Sequence, residues 1–254
     1  MLIIMVNVIK FGGSLSYKND DSLNEERLSR LFKAFSKSYG KDIIYVIGGG
    51  KKCHDIGAEY KVNDYLGVNY FGKNRNLELS RRLEGFFLLQ NEMHARLKKL
   101  EKITGIKSVE ISEVLVRETL GDNENHEIAW HNEEVLKVRP LLTGSGAVLD
   151  RNILVCAISS DTVAAYIAMV LRADNLFIAT DTNGVLDERK KTIPTFSVRD
   201  YNKFYYVNGE MRDKIRRVRH AVNVGIPTYI FNGTLQISKA SELLENGRYT
   251  SLKK

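Results

Sequence analysis

From Asp42 to His54 the chain reads DIIYVIGGGKKCH, and from Val6 to Ser14 it reads VNVIKFGGS. In each stretch a short β-branched run stops at consecutive glycines. Runs of this length and composition read as buried strands. Glycine accepts positive φ and lets another backbone or an anion come close, because no Cβ stands in the way. Both strands therefore end in turns whose N–H groups can gather around negative charge. The residues after Gly50 read as a helix, and a helix N-terminus stabilises a nearby anion by roughly 0.3–1 kcal/mol.

Working outward, the same alternation continues. Strands are expected at Val6–Phe11, Asp42–Ile47, Ile153–Ile158, Asn175–Thr180 and Thr228–Phe231. Between the first two, Leu28, Leu31, Phe32 and Phe35 make one apolar helical face, with Ser22 and Glu25 as a capping box. Further helices are expected from about Leu77 to Leu100, over Asp161–Leu171 and over Met211–Val224. Strands alternating with helices predict βαβ units and a mainly parallel sheet covered on both faces, a three-layer α/β/α sandwich. Gly121–Glu134 reads as polar and turn-like. A boundary near Asp150–Asn152 would divide an N-terminal lobe of about residues 1–150 from a C-terminal lobe of about 151–254.

Composition agrees. The chain has 254 residues, 43% of them hydrophobic, enough for a large core. The apolar start MLIIMVNVIKF is interrupted by Lys10 and lacks a basic leader, so it reads as a first strand and not a signal peptide. No run approaches the ~18 apolar residues of a membrane span. The expectation is a cytoplasmic protein without a membrane partner. Cys53 and Cys156 stand far apart and suggest neither a disulfide framework nor a metal pair. The formal charge of +7 suits anionic ligands, or is simply a solvated surface.

Three motifs mislead. GVNYFGKN at Gly67–Asn74 fits part of a P-loop, but Asn74 replaces the magnesium-binding Ser or Thr. HEIAWH at His126–His131 is one residue too long for a zinc helix. KIRRVRH at Lys214–His220 lacks the interleaved aromatics of a nucleic-acid platform and reads as one charged face of a helix. No protein-held metal site and no nucleic-acid partner are expected.

Five strand-end segments carry chemistry together. They are Lys10-Phe11-Gly12-Gly13-Ser14, then Gly48-Gly49-Gly50 with His54 a turn later. Next come Ile158-Ser159-Ser160-Asp161-Thr162, Thr180-Asp181-Thr182-Asn183-Gly184-Val185 and Gly209-Glu210-Met211-Arg212-Asp213-Lys214. Ligands of open α/β sheets bind at the carboxyl ends of strands. Phosphoryl transfer needs positioning and charge neutralisation more than a covalent nucleophile. Two lysines separated by a carboxylate can clamp a moving phosphoryl group from both sides. Asp161 also suits an ordinary N-cap, and His54 a surface position.

In this order the five segments resemble the amino acid kinase superfamily over nearly the whole chain. That resemblance implies its α/β/α fold, magnesium-ATP bound in the C-terminal lobe with the metal carried by the phosphates, and an ATP-dependent kinase that is commonly dimeric. It places Lys10, Asp161 and Lys214 on the catalytic positions. Gly12, Gly13, Ser14, Thr180, Asp181, Gly184, Val185, Gly209 and Met211 fall on the nucleotide side. Within the superfamily the isopentenyl phosphate kinase branch is most similar. GGGKKCH lines up with its G-x-G-S-F-G-H, so His54 falls on that branch's catalytic histidine. Gly48, Gly49, Gly50, Gly144, Ser145 and Gly146 are then substrate loops. Phe86, Phe87, Gln90 and Met93 are candidates for an isoprenoid-tail pocket, although such a stripe is as often plain core or a dimer seam.

The chain departs from that branch at Ile47, Lys51-Lys52-Cys53, Gly144-Ser145-Gly146, Ser160-Asp161-Thr162 and Gly209-Glu210-Met211. Lys18 stands one residue short of a further family lysine. These changes leave the acceptor open, and Lys51 and Lys52 would suit a more highly charged one. The expected reaction makes isopentenyl diphosphate from isopentenyl phosphate. The alternatives are a sister kinase for a phosphonate, an aminomethylfuran phosphate, a nucleoside monophosphate or a carboxylate, or a non-catalytic ligand-binding protein of the same fold.

Overall fold

In a computed structural model the chain forms a three-layer sandwich, described here for residues 5–62, 75–119, 126–149, 155–201, 204, 207, 209–245 and 247–254. In chain order the elements are β1 (Asn7–Phe11), α1 (Gly13–Ser16), α2 (Glu25–Tyr39), β2 (Ile43–Ile47), α3 (Gly50–Glu59), α4 (Arg75–Thr104) and β3 (Lys107–Ser108). Then follow α5 (Ile111–Val114), β4 (Leu115–Thr119), β5 (His126–His131), α6 (Glu133–Lys137), β6 (Leu141–Gly144), β7 (Gly146–Leu149) and β8 (Val155–Ile158). The last are α7 (Ser160–Val170), β9 (Asn175–Thr180), β10 (Thr195–Ser197), α8 (Gly209–Asn223), β11 (Thr228–Asn232), α9 (Ser241–Glu245) and β12 (Tyr249–Lys253).

Eight strands make the central sheet in the order β10-β12-β11-β9-β1-β2-β6-β3, parallel except where β12 runs against β11. Strand alternation splits the core in two. Val8, Ile44, Val46, Ile178 and Ile230 face α7 and α8, packing on Val163, Ile167, Ile215 and Val218. Ile9, Phe11, Tyr45, Phe177 and Phe231 face α2 and α4. There Leu28, Leu31, Phe32 and Phe35 are all buried, as their spacing predicts. Burying each of these stabilises the fold by about 1.5–3 kcal/mol. Their rings form an edge-on stack, with Phe35 and Phe177 centroids 5.3 Å apart and Phe11 and Phe32 5.4 Å apart.

Three expectations need correction. The cap of α2 is Asn24, whose side chain accepts from the Arg27 N–H, and not Ser22; the Ser22 hydroxyl bonds Asp20 instead. The run at 153–158 is a strand from Val155 onward, but β8 leaves the main sheet and pairs antiparallel with β7. Its β-branched residues report strand conformation and say nothing of partner. Part of the segment read as turn-like, 121–134, is strand β5 in a hairpin with β4, followed by the start of α6. HEIAWH is therefore a strand. The P-loop-like stretch 67–74 and the expected boundary at 150–152 lie outside the described residues. Among the described residues no helix is long and apolar enough to cross a membrane.

Candidate active site

The register aligns Phe11 with Ile47 and with Ala179, and Ile47 with Gly144. The turns after β1, β2, β6 and β9 therefore leave the same edge of the sheet. Alternation along β1 puts Lys10 on the face of Val8, toward α7 and α8. Lys10 Nζ lies 2.9 Å from Asp161 Oδ1, and Lys214 Nζ lies 3.5 Å from Asp161 Oδ2. Three charged groups from β1, α7 and α8 thus meet while being 3%, 7% and 9% exposed.

Asp161 is not the cap of α7. Ser159 is, its hydroxyl accepting from the Asp161 N–H at 3.2 Å, which leaves the carboxylate free for the lysines. Burial pushes the Asp161 carboxyl up, but Lys10 and Lys214 pull harder and bring it down to about 2. Burial pushes Lys10 down, Asp161 restores part of that, Lys214 opposes it, and Lys10 settles at about 8. A buried carboxylate between two ammonium groups leaves one excess positive charge beside the glycine turns. Such a site favours an anion that can take over the lysines' free donors.

The glycines are required by close backbone approach. A Cβ on Gly48 would stand 2.8 Å from the Gly13 nitrogen, and one on Gly13 would stand 2.9 Å from the Gly50 Cα. The turns after β1 and β2 therefore pack main chain against main chain. Gly12 sits over the cation cluster, its Cβ position 3.7 Å from Lys10 Nζ. Gly49, the N-cap of α3, offers no side-chain acceptor, so N–H groups of the first turn stay available to a ligand. The third loop joins here. The Ser145 N–H donates to the Ile47 carbonyl at 2.9 Å, and a Cβ on Gly49 would meet Ser145 Oγ at 3.0 Å. Ser14 is exposed in the first turn of α1.

Helix α4 carries this third loop. Met93 lies under Gly144 and Gln90 under Gly146, at 2.5 Å and 3.0 Å from their Cβ positions. Gln90 is fixed by its bond to Ser112 Oγ, 2.8 Å. Phe86 packs half-buried against the core, but Phe87 is 60% exposed. Consecutive helical residues stand about 100° apart, yet the two rings meet edge to face with centroids 5.4 Å apart. His54 is exposed on α3, beside inward-facing Cys53, which is buried and free. Lys51 and Lys52 pair with Asp55 and Glu92, each at 2.5 Å.

On the other side, Thr180 is buried and Asp181 exposed at the end of β9, with Thr180 Oγ1 donating to Asp181 Oδ1. Gly184 has φ +107° and abuts Thr250, whose hydroxyl also accepts from the Val185 N–H at 2.8 Å. Gly184 and Val185 thus shape the loop by fastening it to β12. Gly209 opens α8 with φ +52°, and Met211 packs half-buried on the core. Among the described residues no cluster of three or more His, Cys, Asp or Glu could hold a metal.

Sequence reasoning missed one group. Arg96 on α4 is 6% exposed and donates from Nη1 to the Gly49 carbonyl at 2.9 Å. It also bonds Glu92 and Asp21 and lies 4.0 Å over the Tyr17 ring. The available signal was an arginine on the helical face that holds Leu89, Met93 and Leu100.

The amino acid kinase family model matches residues 5–232. The chain belongs to that family. A curated relative, acetylglutamate kinase of Pelagibacter ubique (strain HTCC1062), is 26% identical over 257 aligned residues, 94% of this chain and 85% of the relative. Acetylglutamate kinase of Bradyrhizobium diazoefficiens is 34% identical over 93 residues, 35% of this chain; the match spans about a third (32%) of that relative's length. A solved isopentenyl phosphate kinase superposes with TM-score 0.71 at 19% identity, covering 91% of this chain and 93% of the other. The amino acid kinase fold expected from the five segments is therefore the fold observed.

Proposed function

We propose that this amino acid kinase family member transfers the γ-phosphoryl group of ATP to a phosphate monoester, converting isopentenyl phosphate to isopentenyl diphosphate. The observation that carries the reading is Asp161 held between Lys10 and Lys214 beside two interlocked glycine turns. ATP sits over the C-terminal half, against Gly12, the 180–185 loop and the start of α8. Magnesium carried on the phosphates of ATP would neutralise part of their charge. The acceptor phosphate lies on the Gly48–Gly50 nest, with His54 one helical turn on. Its oxygen anion attacks the γ-phosphorus while Lys10 and Lys214 neutralise charge on the transferring oxygens. Asp161 acts by orienting the two ammonium groups. Exposed Leu77, Phe87 and Leu88 along α4 fit a homodimer seam.

A second reading, a carboxylate acceptor, is favoured by the similarity to acetylglutamate kinase along 94% of the chain. His54 separates the two, since a carboxylate kinase has no need of a donor there. The test is ADP formation from ATP over isopentenyl phosphate, other monophosphates, phosphonates and N-acetylglutamate. Isopentenyl phosphate should give the highest kcat/KM. With it, His54→Ala should lose about 10²-fold, as for one lost oxyanion donor, while His54→Gln keeps measurable turnover and the KM for ATP stays put. Turnover of N-acetylglutamate alone, indifferent to His54, would transfer the chain to the second reading.

A further inference from the structure

Arg96 stands outside the cation cluster, yet it touches Gly49 itself and the 17–23 turn that packs on Gly50. Nε donates to Glu92 Oε1 at 2.7 Å, Nη1 to the Gly49 carbonyl at 2.9 Å, and Nη2 to Asp21 Oδ2. The guanidinium plane covers Tyr17. Tyr17 bridges to Leu23 and so closes the turn that presents Asp21, itself in the left-handed region at φ +61°. Asp21 accepts in addition from the Lys52 N–H at 3.5 Å, and Glu92 pairs with Lys52 Nζ. Two cations and two carboxylates balance, so the cluster imposes no net charge on the neighbouring site. Gly50, at φ +68°, has no room for a side chain: its Cβ would lie 2.5 Å from the Tyr17 ring and 3.0 Å from Arg96 Nη1.

In a trans peptide the carbonyl and the following N–H point in opposite directions. A Gly49 carbonyl held toward Arg96 therefore turns the Gly50 N–H away from α4. The Gly50 nitrogen lies 3.0 Å from the Cβ position of Gly13, on the side of the β1 turn. We propose that Arg96 is a positioning residue for the acceptor anion: it fixes the Gly49–Gly50 peptide with its N–H facing the pocket and locks the 17–23 turn against the same glycines. The proposal rests on reading the Gly48–Gly50 nest as the acceptor site. Arginine suits this task because its planar fork holds a carbonyl and two carboxylates in fixed directions while lying over Tyr17, where a lysine offers a compact, freely rotating charge.

The experiment reads the nest directly. Protein labelled with 15N-glycine is titrated with inorganic phosphate, following the Gly50 amide, in the wild type, Arg96→Met, Arg96→Lys and Asp21→Asn. The wild-type amide should shift and saturate. Arg96→Met should need at least tenfold more phosphate; Arg96→Lys, which can still reach the carbonyl, should fall between. Asp21→Asn, which removes one anchor of Arg96 and leaves its bond to the Gly49 carbonyl, should weaken binding about threefold despite removing a negative charge near the nest, and it decides the matter if Arg96→Met does not fold. In turnover the acceptor KM should rise while the KM for ATP stays within twofold. A wild-type Gly50 amide that ignores phosphate overturns the proposal, as do folded Arg96 variants that titrate like wild type. Absence of turnover with every acceptor would fell the kinase reading alone, leaving Arg96 to be judged on the phosphate titration.

Discussion

Replacing Asp161 by asparagine keeps its shape and removes the charge that two buried lysines share. The amide oxygen can still accept from one lysine, but its NH2 then faces the other, donor against donor. The size of the loss follows from the carboxyl itself. It titrates near 2 in the folded chain against 3.8 for a free carboxyl. At about 1.4 kcal/mol per pH unit, that depression contributes about 2–3 kcal/mol at pH 7. For a chain of this length each kcal/mol moves Tm by about 2–4 °C, so Asp161→Asn should melt about 5–10 °C lower. The sign with pH is fixed. The contribution is complete above 3.8 and disappears as pH falls toward 2. Lys10 behaves oppositely, since its folded value of about 8 lies below 10.5. Its burial costs stability at pH 7, and that cost fades as pH rises from 8 to 10.5. Without the carboxylate Lys10 drops lower still, so the gap between variant and wild type should narrow as pH rises toward 8 and stay constant above it, where both hold Lys10 neutral. Thermal unfolding from pH 6 to 10 checks this, and coupled ADP release should show kcat reduced about 10²–10³-fold. A variant matching the wild type in Tm and turnover, or a gap that does not narrow between pH 6 and 8, would refute this role of the cluster.

Magnesium-ATP should raise Tm, by about 2.7 kcal/mol of stabilisation at a hundredfold excess over Kd; no shift at millimolar concentration would remove the nucleotide site. Gly48→Ala should destabilise by about 1–3 kcal/mol, because its Cβ meets the backbone of Gly13, which cannot rotate away like a side chain. Chemical denaturation reads that loss, and wild-type stability would contradict the packed turns. The kcat/KM for ATP should fall above about pH 8 as Lys10 loses its proton in the free protein. In the complex the triphosphate favours the charged ammonium, so kcat should hold to higher pH, and a kcat/KM flat to pH 9.5 would take Lys10 out of the reaction.

The parts legible in the sequence are those fixed by local pattern. Leu28, Leu31, Phe32 and Phe35 announced a buried helical face, and the β-branched runs ending in glycine announced strands with close-packed turns. Lys10 and Asp161 could be singled out as strand-end charges. Their meeting depends on β1 alternation and on α7 and α8 lying on one face, which the chain pattern implies only once the sheet order is known. What stayed hidden is non-local. Nothing in the run Val155–Ile158 says that it pairs with Gly146–Leu149 and not with the main sheet. Arg96 lies 47 residues from the carbonyl it holds. Phe86 and Phe87 looked equivalent as apolar letters, and the 100° step between them sends one to the core and the other to solvent.

The same packing decides what the additional lysines at the nest can contribute. Lys51 and Lys52 stand where the similar branch has uncharged residues, and their sequence position suggests added charge for the acceptor. Their partners differ in kind. Lys51 pairs with Asp55 one turn on, with both side chains more than half exposed. Such a pair is worth about 0.3–0.5 kcal/mol, so an anion on the nest can draw Lys51 away at little cost. Lys52 binds Glu92, a carboxylate 18% exposed that also binds Arg96. Together Lys52 and Arg96 outweigh burial and hold the Glu92 carboxyl below its usual range. Moving Lys52 would leave Arg96 alone to balance Glu92 and Asp21 and would loosen the clasp on the Gly49 carbonyl. The two adjacent lysines therefore differ in freedom: Lys51 is held only by a surface pair, whereas Lys52 belongs to the Glu92–Arg96 cluster. Extra charge on an acceptor at the nest would have to be met by Lys51 and His54 at the exposed rim of α3, because Lys52 and Arg96 are engaged with Glu92 and Asp21.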